Sequence, residues 1–170
     1  QLFAVDQFLM KGGTLILSTS PFSVSMTRDN LLAVKLDSGL KEWLRHHGIT
    51  LEESLVLDTQ NTHFPIPVRR SIAGLTFQDL RMVEYPYFVD IRKEGMTKGN
   101  FLTTGLSQVT LNWSSPISID NEKNKGRKVT TILESSPESW RSDSLNIVPE
   151  LQATGSLLPF RPTEEGGIYT

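Results

Sequence analysis

The sequence predicts an α/β fold: a mostly parallel sheet flanked by helices, with a strand-rich middle segment. Three observations lead there. A one-sided helical pattern over residues 2–11 runs through Gly12-Gly13 into the all-apolar Thr14-Leu15-Ile16-Leu17. The same order returns over residues 40–58, where a helical pattern stops at Gly48 and a second apolar run, residues 54–58, follows. Neither run alternates with polar residues, which suits strands covered on both faces, as in a parallel sheet packed between helices.

In the first helix, Leu2, Phe3, Val5, Phe8 and Leu9 recur at helical spacing with Asp6, Gln7 and Lys11 opposite, so one face is expected to pack on a neighbour. Gly12-Gly13 ends it, because glycine takes the left-handed conformation without a Cβ penalty. Residues 22–36 alternate loosely and suit a hairpin arm or a loop. Asp37 or Ser38 is the expected N-cap of the second helix, whose Leu40, Trp43, Leu44 and His47 share a stripe. From 59 to 72, Pro65 and Pro67 restrict the chain to a long excursion with an edge strand near 66–70. Residues 81–92 are rich in β-branched and aromatic side chains and read as a strand broken at Pro86. Residues 106–113, 117–119 and 129–133 are further expected strands, and 120–128, without an apolar side chain, is a solvated turn. The tail from Glu138 is expected to lie over the sheet rather than join it, until a last strand starting at Ile168.

Composition narrows the function. Lysine and arginine number 17 against 19 acidic residues, a net charge of −2 that offers no overall basic field to nucleic acid or anionic lipid. Nucleic acid is therefore not expected as a partner. Cysteine is absent, which removes disulfides, thiolate metal sites and any cysteine nucleophile together. No apolar run approaches the ~20 residues of a membrane-spanning helix, and the N-terminal residues lack the layout of a signal peptide. The 170 residues suffice for one soluble domain, 1–170, with one sizeable core. Both ends look cut, so this domain is expected to be a portion of a longer, membrane-anchored chain.

The polar residues just after the expected strands are the candidate contact sites: Thr19, Ser20, Asp58, Ser135 and Ser136. In open α/β sheets ligands bind at that carboxyl edge. A hydrolase would need a serine, a base and an orienting acid, for which Ser20, His63 and Asp58 are the available set. Yet Ser20 lacks a G-x-S-x-G elbow, and Pro21 removes the backbone N–H such an elbow uses for its oxyanion hole. The plainer account has these short polar residues turning and capping the chain. His46 and His47 point about 100° apart on a helix and do not share a metal, and neither glycine pair has a phosphate-loop layout. No cofactor is expected. Trp113, Trp140, Tyr85, Tyr87 and Phe88 suit either core positions or an aromatic surface for a glycan or peptide.

The ordered segments VDQFLMKGGTLILSTSPF, LKEWLRHHGI, LEESLVLDTQN, TTGLSQVTLNWSSPISI and TTILESSPESW resemble the extracytoplasmic domain of auxiliary subunits of bacterial ABC-type transport systems. That family includes the gliding-motility-associated ABC transporter auxiliary proteins. The resemblance implies a class-I glutamine-amidotransferase-like or flavodoxin-like fold, related to the GIFT domains of intraflagellar transport proteins. It also implies a periplasmic position between membrane segments, a permease and an ATPase as partner subunits, and a non-catalytic role. The amidotransferase nucleophile is a cysteine, so the missing cysteine excludes glutamine hydrolysis by that mechanism.

Overall fold

In a computed structural model the described residues are 2–27, 31–72, 74–149 and 166–170. Among the described residues there are two short α-helices, α1 (Leu2–Met10) and α2 (Lys41–His46), and nine strands: β1 (Phe22–Met26), β2 (Leu31–Lys35), β3 (Ile49–Leu51), β4 (Leu55–Leu57), β5 (Asn61–Ile72), β6 (Leu75–Arg92), β7 (Gln108–Asn112), β8 (Ile117–Ile119) and β9 (Trp140–Ser142). They form the pairs β1-β2, β3-β8 and β4-β9 and the three-stranded sheet β5-β6-β7. Every strand pairing among the described residues is antiparallel.

The expected parallel, helix-flanked sheet of amidotransferase or flavodoxin type is thus overturned. Residues 14–17 form no strand, and Ile16 is 93% exposed, so the first apolar run is not covered on either face. Hydrophobicity without alternation states that a run can be buried; it does not name the neighbour. The second run behaves as its pattern requires, with all of β4 buried. Leu55 and Leu57 enter one core cluster and Val56 the other, so alternate side chains of a single strand serve two cores. Its partner is β9, antiparallel and far along the chain, so the tail adds a strand rather than lying over the sheet.

The helices end where glycines predict: Gly12 (φ 85°) follows α1 and Gly48 (φ 74°) follows α2. But α1 buries no residue, against the expected packed face. Asp37 and Ser38 do not cap α2, whose N-cap is Leu40. Instead Asp37 Oδ1 accepts from Gly39 N (3.0 Å) and Ser38 Oγ from Leu40 N (3.4 Å), tightening the turn before it.

Within 22–36, β1 and β2 pair as the two arms of a hairpin, with residues 28–30 outside the described residues, and β5 is an edge strand around and beyond 66–70, as anticipated. β6 is not broken at Pro86. Its register against β5 slips between Asn61↔Val89 and His63↔Glu84, leaving Pro86 opposite no ladder partner. Asn61 Oδ1 accepts from Tyr85 N (2.9 Å) and Pro86 O accepts from Asp58 N (3.1 Å), so the bulge is satisfied by groups outside the ladder. Residues 120–128 are a turn, in which Asp120 Oδ1 accepts from Glu122 N and Lys123 N. Residues 129–133 contribute only an isolated bridge, Leu133 to Met96, not the expected strand, and Ile168 starts none. The proline- and glycine-punctuated stretch 150–165 lies outside the described residues.

Two core clusters result. The larger gathers Phe22, Leu31, Leu55, Leu57, Tyr85, Tyr87, Trp140 and Ile147. The smaller joins Val56, Val89, Ile91 and Met96.

Candidate functional site

Three of the five sequence candidates meet in one place. Asp58 follows β4 and is 1% exposed, and its carboxylate bridges two loops. Oδ1 accepts from Ser136 Oγ (2.6 Å) and Gln60 N (2.8 Å), and Oδ2 accepts from Ser136 N (2.7 Å). Ser135 is drawn in beside it: its hydroxyl lies 2.7 Å from Ser139 Oγ and accepts from Tyr169 N (2.8 Å). Ser139, fully buried, in turn donates toward the carbonyls of Ser136 and Gly167. These are the hydrogen bonds of a knot that ties the β4–β5 connection to residues 135–139 and to the chain end.

Thr19 and Ser20 lie elsewhere. They are half-buried on the rim of a groove of about 410 Å³ whose walls are the end of β2, the turn into α2, Leu51 and Glu53. Ser20 Oγ accepts from Phe22 N (3.1 Å), a local turn that starts β1. Asp58, Ser135 and Ser136 do not line this groove. His63 is exposed on β5 with Glu84 as register partner, and no hydrogen bond joins it to Ser20 or Asp58. The Ser20–His63–Asp58 set is therefore not assembled as a hydrogen-bonded triad.

The charged feature of the groove came from no local signal. Glu53 takes Lys35 Nζ at 2.8 Å on Oε2 and Lys41 Nζ on Oε1. Hydrogen bonding from Lys35, and then from Lys41, holds its carboxyl down at about 2, well below the ordinary 4.5. The same contact raises Lys35. Three residues from β2, α2 and the loop before β4 converge only in space, and nothing in their spacing announces it. Leu36, Leu40, Leu44 and Leu51 supply an apolar floor beside this ionic rim. Such a groove accepts a side chain or small ligand of mixed character.

The aromatic surface is not formed. Tyr85, Tyr87 and Trp140 are buried, and Trp113 and Phe88 pack on them, Phe88 lying 5.0 Å from Tyr85 and 4.9 Å from Trp113 between ring centres. Tyr85 donates to Ile147 O (2.7 Å) and accepts from Trp113 Nε1 (3.1 Å), which satisfies both polar tips inside the core. Burial pushes both tyrosine hydroxyls up from their ordinary value.

His47 lies on the inner side of α2 with its ring edge against Trp43, 4.6 Å between centres, and Nε2 3.2 Å from Asp6 of α1, while His46 is exposed. Among the described residues no group of three or more metal-ligating side chains comes together, and no helix is long and apolar enough to cross a membrane.

The family described as an ABC-type uncharacterized transport system matches residues 1–163 of this chain. No curated protein and no solved structure matches it.

Proposed function

The chain belongs to the family described as an ABC-type uncharacterized transport system, and on that premise we propose that it is a non-catalytic, extracytoplasmic auxiliary domain that makes contacts within the transporter assembly. Its partners are the permease and ATPase subunits. The observation that carries the non-catalytic reading is the engagement of Asp58: both carboxylate oxygens are taken up in holding Ser136 and Gln60, so this acid does not orient His63 toward Ser20. The absence of cysteine removes the other nucleophile this chain would need.

The groove rimmed by Thr19, Ser20, Lys35, Lys41 and Glu53 is the contact site of this reading, because it pairs apolar area with charge that a partner can compete for. Co-purification of the full-length chain with the detergent-solubilised permease and ATPase tests it. The wild type is expected to stay with the complex, and Lys35→Glu together with Lys41→Glu to reduce recovery several-fold while leaving the melting curve of the isolated chain close to wild type. Recovery of the chain without either subunit would overturn the assembly role. Ester or amide turnover lost in Ser20→Ala would overturn the non-catalytic one. A periplasmic reporter fused beside this domain checks its side of the membrane.

A further inference from the structure

We infer that the outer half of the β5-β6 hairpin is a lipid-contacting arm that dips its tip into an anionic bilayer surface, a role beyond the contacts proposed above. Phe64 and Val83 form the last cross-strand pair in which both residues are buried. Beyond it all eight residues from Leu75 to Met82 are exposed, a length of about 26 Å of strand. β7 flanks β6 only from Phe88 to Arg92, so among the described residues this stretch has a single strand neighbour, β5. The β5 arm keeps Ile66 and Val68 half-buried, but the β6 arm is open to water, and a two-stranded ribbon has little to hold it unless something covers it.

It exposes apolar side chains on both faces, interleaved with Thr76, Gln78, Asp79 and Arg81. Cross-strand register partners share a face, so Leu75 (64% exposed) and Phe77 (50%) lie on one, and Leu80 (66%) and Met82 (57%), opposite Pro67 and Pro65, lie on the other. Immersion of the tip covers Leu75 and Phe77, the apolar pair nearest the turn, while Leu80 and Met82, five and seven residues back from Leu75, stay outside the bilayer.

Charge selects the kind of surface. Residues 65–82 hold Arg69, Arg70 and Arg81 against Asp79, a local net charge of +2 that leaves −4 on the rest of a chain whose total is −2. The overall balance hides this segregation. Arg69 is exposed and stands opposite Gln78, three residues back from Leu75 at the turn, or about 10 Å. That is close to the depth to which interfacial segments bury their apolar side, so with the tip in the acyl boundary Arg69 reaches the headgroup phosphates. Another exposed apolar stretch, α1 and residues 11–17, has Lys11 balanced by Asp6 and lacks this charge.

The test uses the intact chain and vesicles of phosphatidylglycerol mixed with phosphatidylcholine, with pure phosphatidylcholine vesicles alongside. Sedimentation is expected to show binding to the anionic vesicles that weakens with salt and is much lower on pure phosphatidylcholine. Leu75→Ser with Phe77→Ser is expected to weaken it at least about tenfold, and Arg69→Gln about fivefold, both with unchanged far-ultraviolet dichroism because the replaced side chains are exposed. The natural absence of cysteine allows a polarity-sensitive dye on Leu75→Cys, whose emission should shift to the blue on anionic vesicles, whereas the same dye on Ser25→Cys should not. No binding to anionic vesicles, equal binding by the tip variant, or a blue shift at position 25 but not 75 would overturn the inference. So would vesicle-independent capture of the arm by the solubilised permease, which would make it a protein contact.

Discussion

Asp58 shows how a residue that looks reactive in a sequence becomes structural once its neighbours are known. An acid at a strand end is open to catalysis or to loop bonding, and the decision rests on which donors reach it. Here Ser136 supplies two of them from far along the chain. Asp58→Ala strands those donors and the Gln60 N–H in a buried place, and is expected to lower unfolding free energy by about 3 kcal/mol in urea titrations; Asp58→Asn, which keeps one acceptor oxygen, should lose less. Glu53 is the opposite case, an exposed carboxylate whose behaviour is set by two lysines. Its folded-state value of about 2 lies below the ordinary 4.5, so its contribution is present above 4.5 and fades as pH falls toward 2. Solvent screening keeps that contribution modest. Carboxyl-carbon NMR should find the Glu53 midpoint near 2, and Lys35→Met with Lys41→Met should return it toward the ordinary value.

At the scale of elements, β5 is a long edge strand that carries its own safeguard. Pro65 and Pro67 are two apart, so a ladder with β6 that retains both must turn both nitrogens outward, and the open edge there lacks two donors. This is the edge an added strand would otherwise use. Pro65→Thr with Pro67→Thr is expected to leave the melting temperature near wild type and to shorten the lag of concentration-dependent aggregation, followed by light scattering. The proline spacing was visible in the sequence and marked an edge strand; the extent of the strand was not, because among the described residues its outer half is held by pairing with β6, a partner the local sequence does not name. Pro86 misled for a related reason. A proline interrupts a ladder only if its nitrogen is asked to donate, and the slipped register between Asn61 and His63 excuses it.

For the molecule as a whole, the pairings of β4 with β9 and β3 with β8 join segments far apart in the chain. Closing such loops precedes most of the burial they allow, so refolding is expected in milliseconds to seconds rather than microseconds, as stopped-flow tryptophan fluorescence would record. The same long reach explains which expectations survived. The sequence by itself determined where helices stop, at Gly12 and Gly48, where the polar turn of 120–128 falls, where prolines hold β5 to an edge, and which transport family the segments resemble. Those features depend on local backbone preference or on ordered segments, and a sequence carries both. Only the tertiary structure decided that the sheets are antiparallel, that β4 is covered by β9 while residues 14–17 are left exposed, that Asp58 is spent on Ser136, and that Lys35, Lys41 and Glu53 meet. An apolar run or a carboxylate specifies only that it needs a partner; which one it receives is set by the packing of the entire chain.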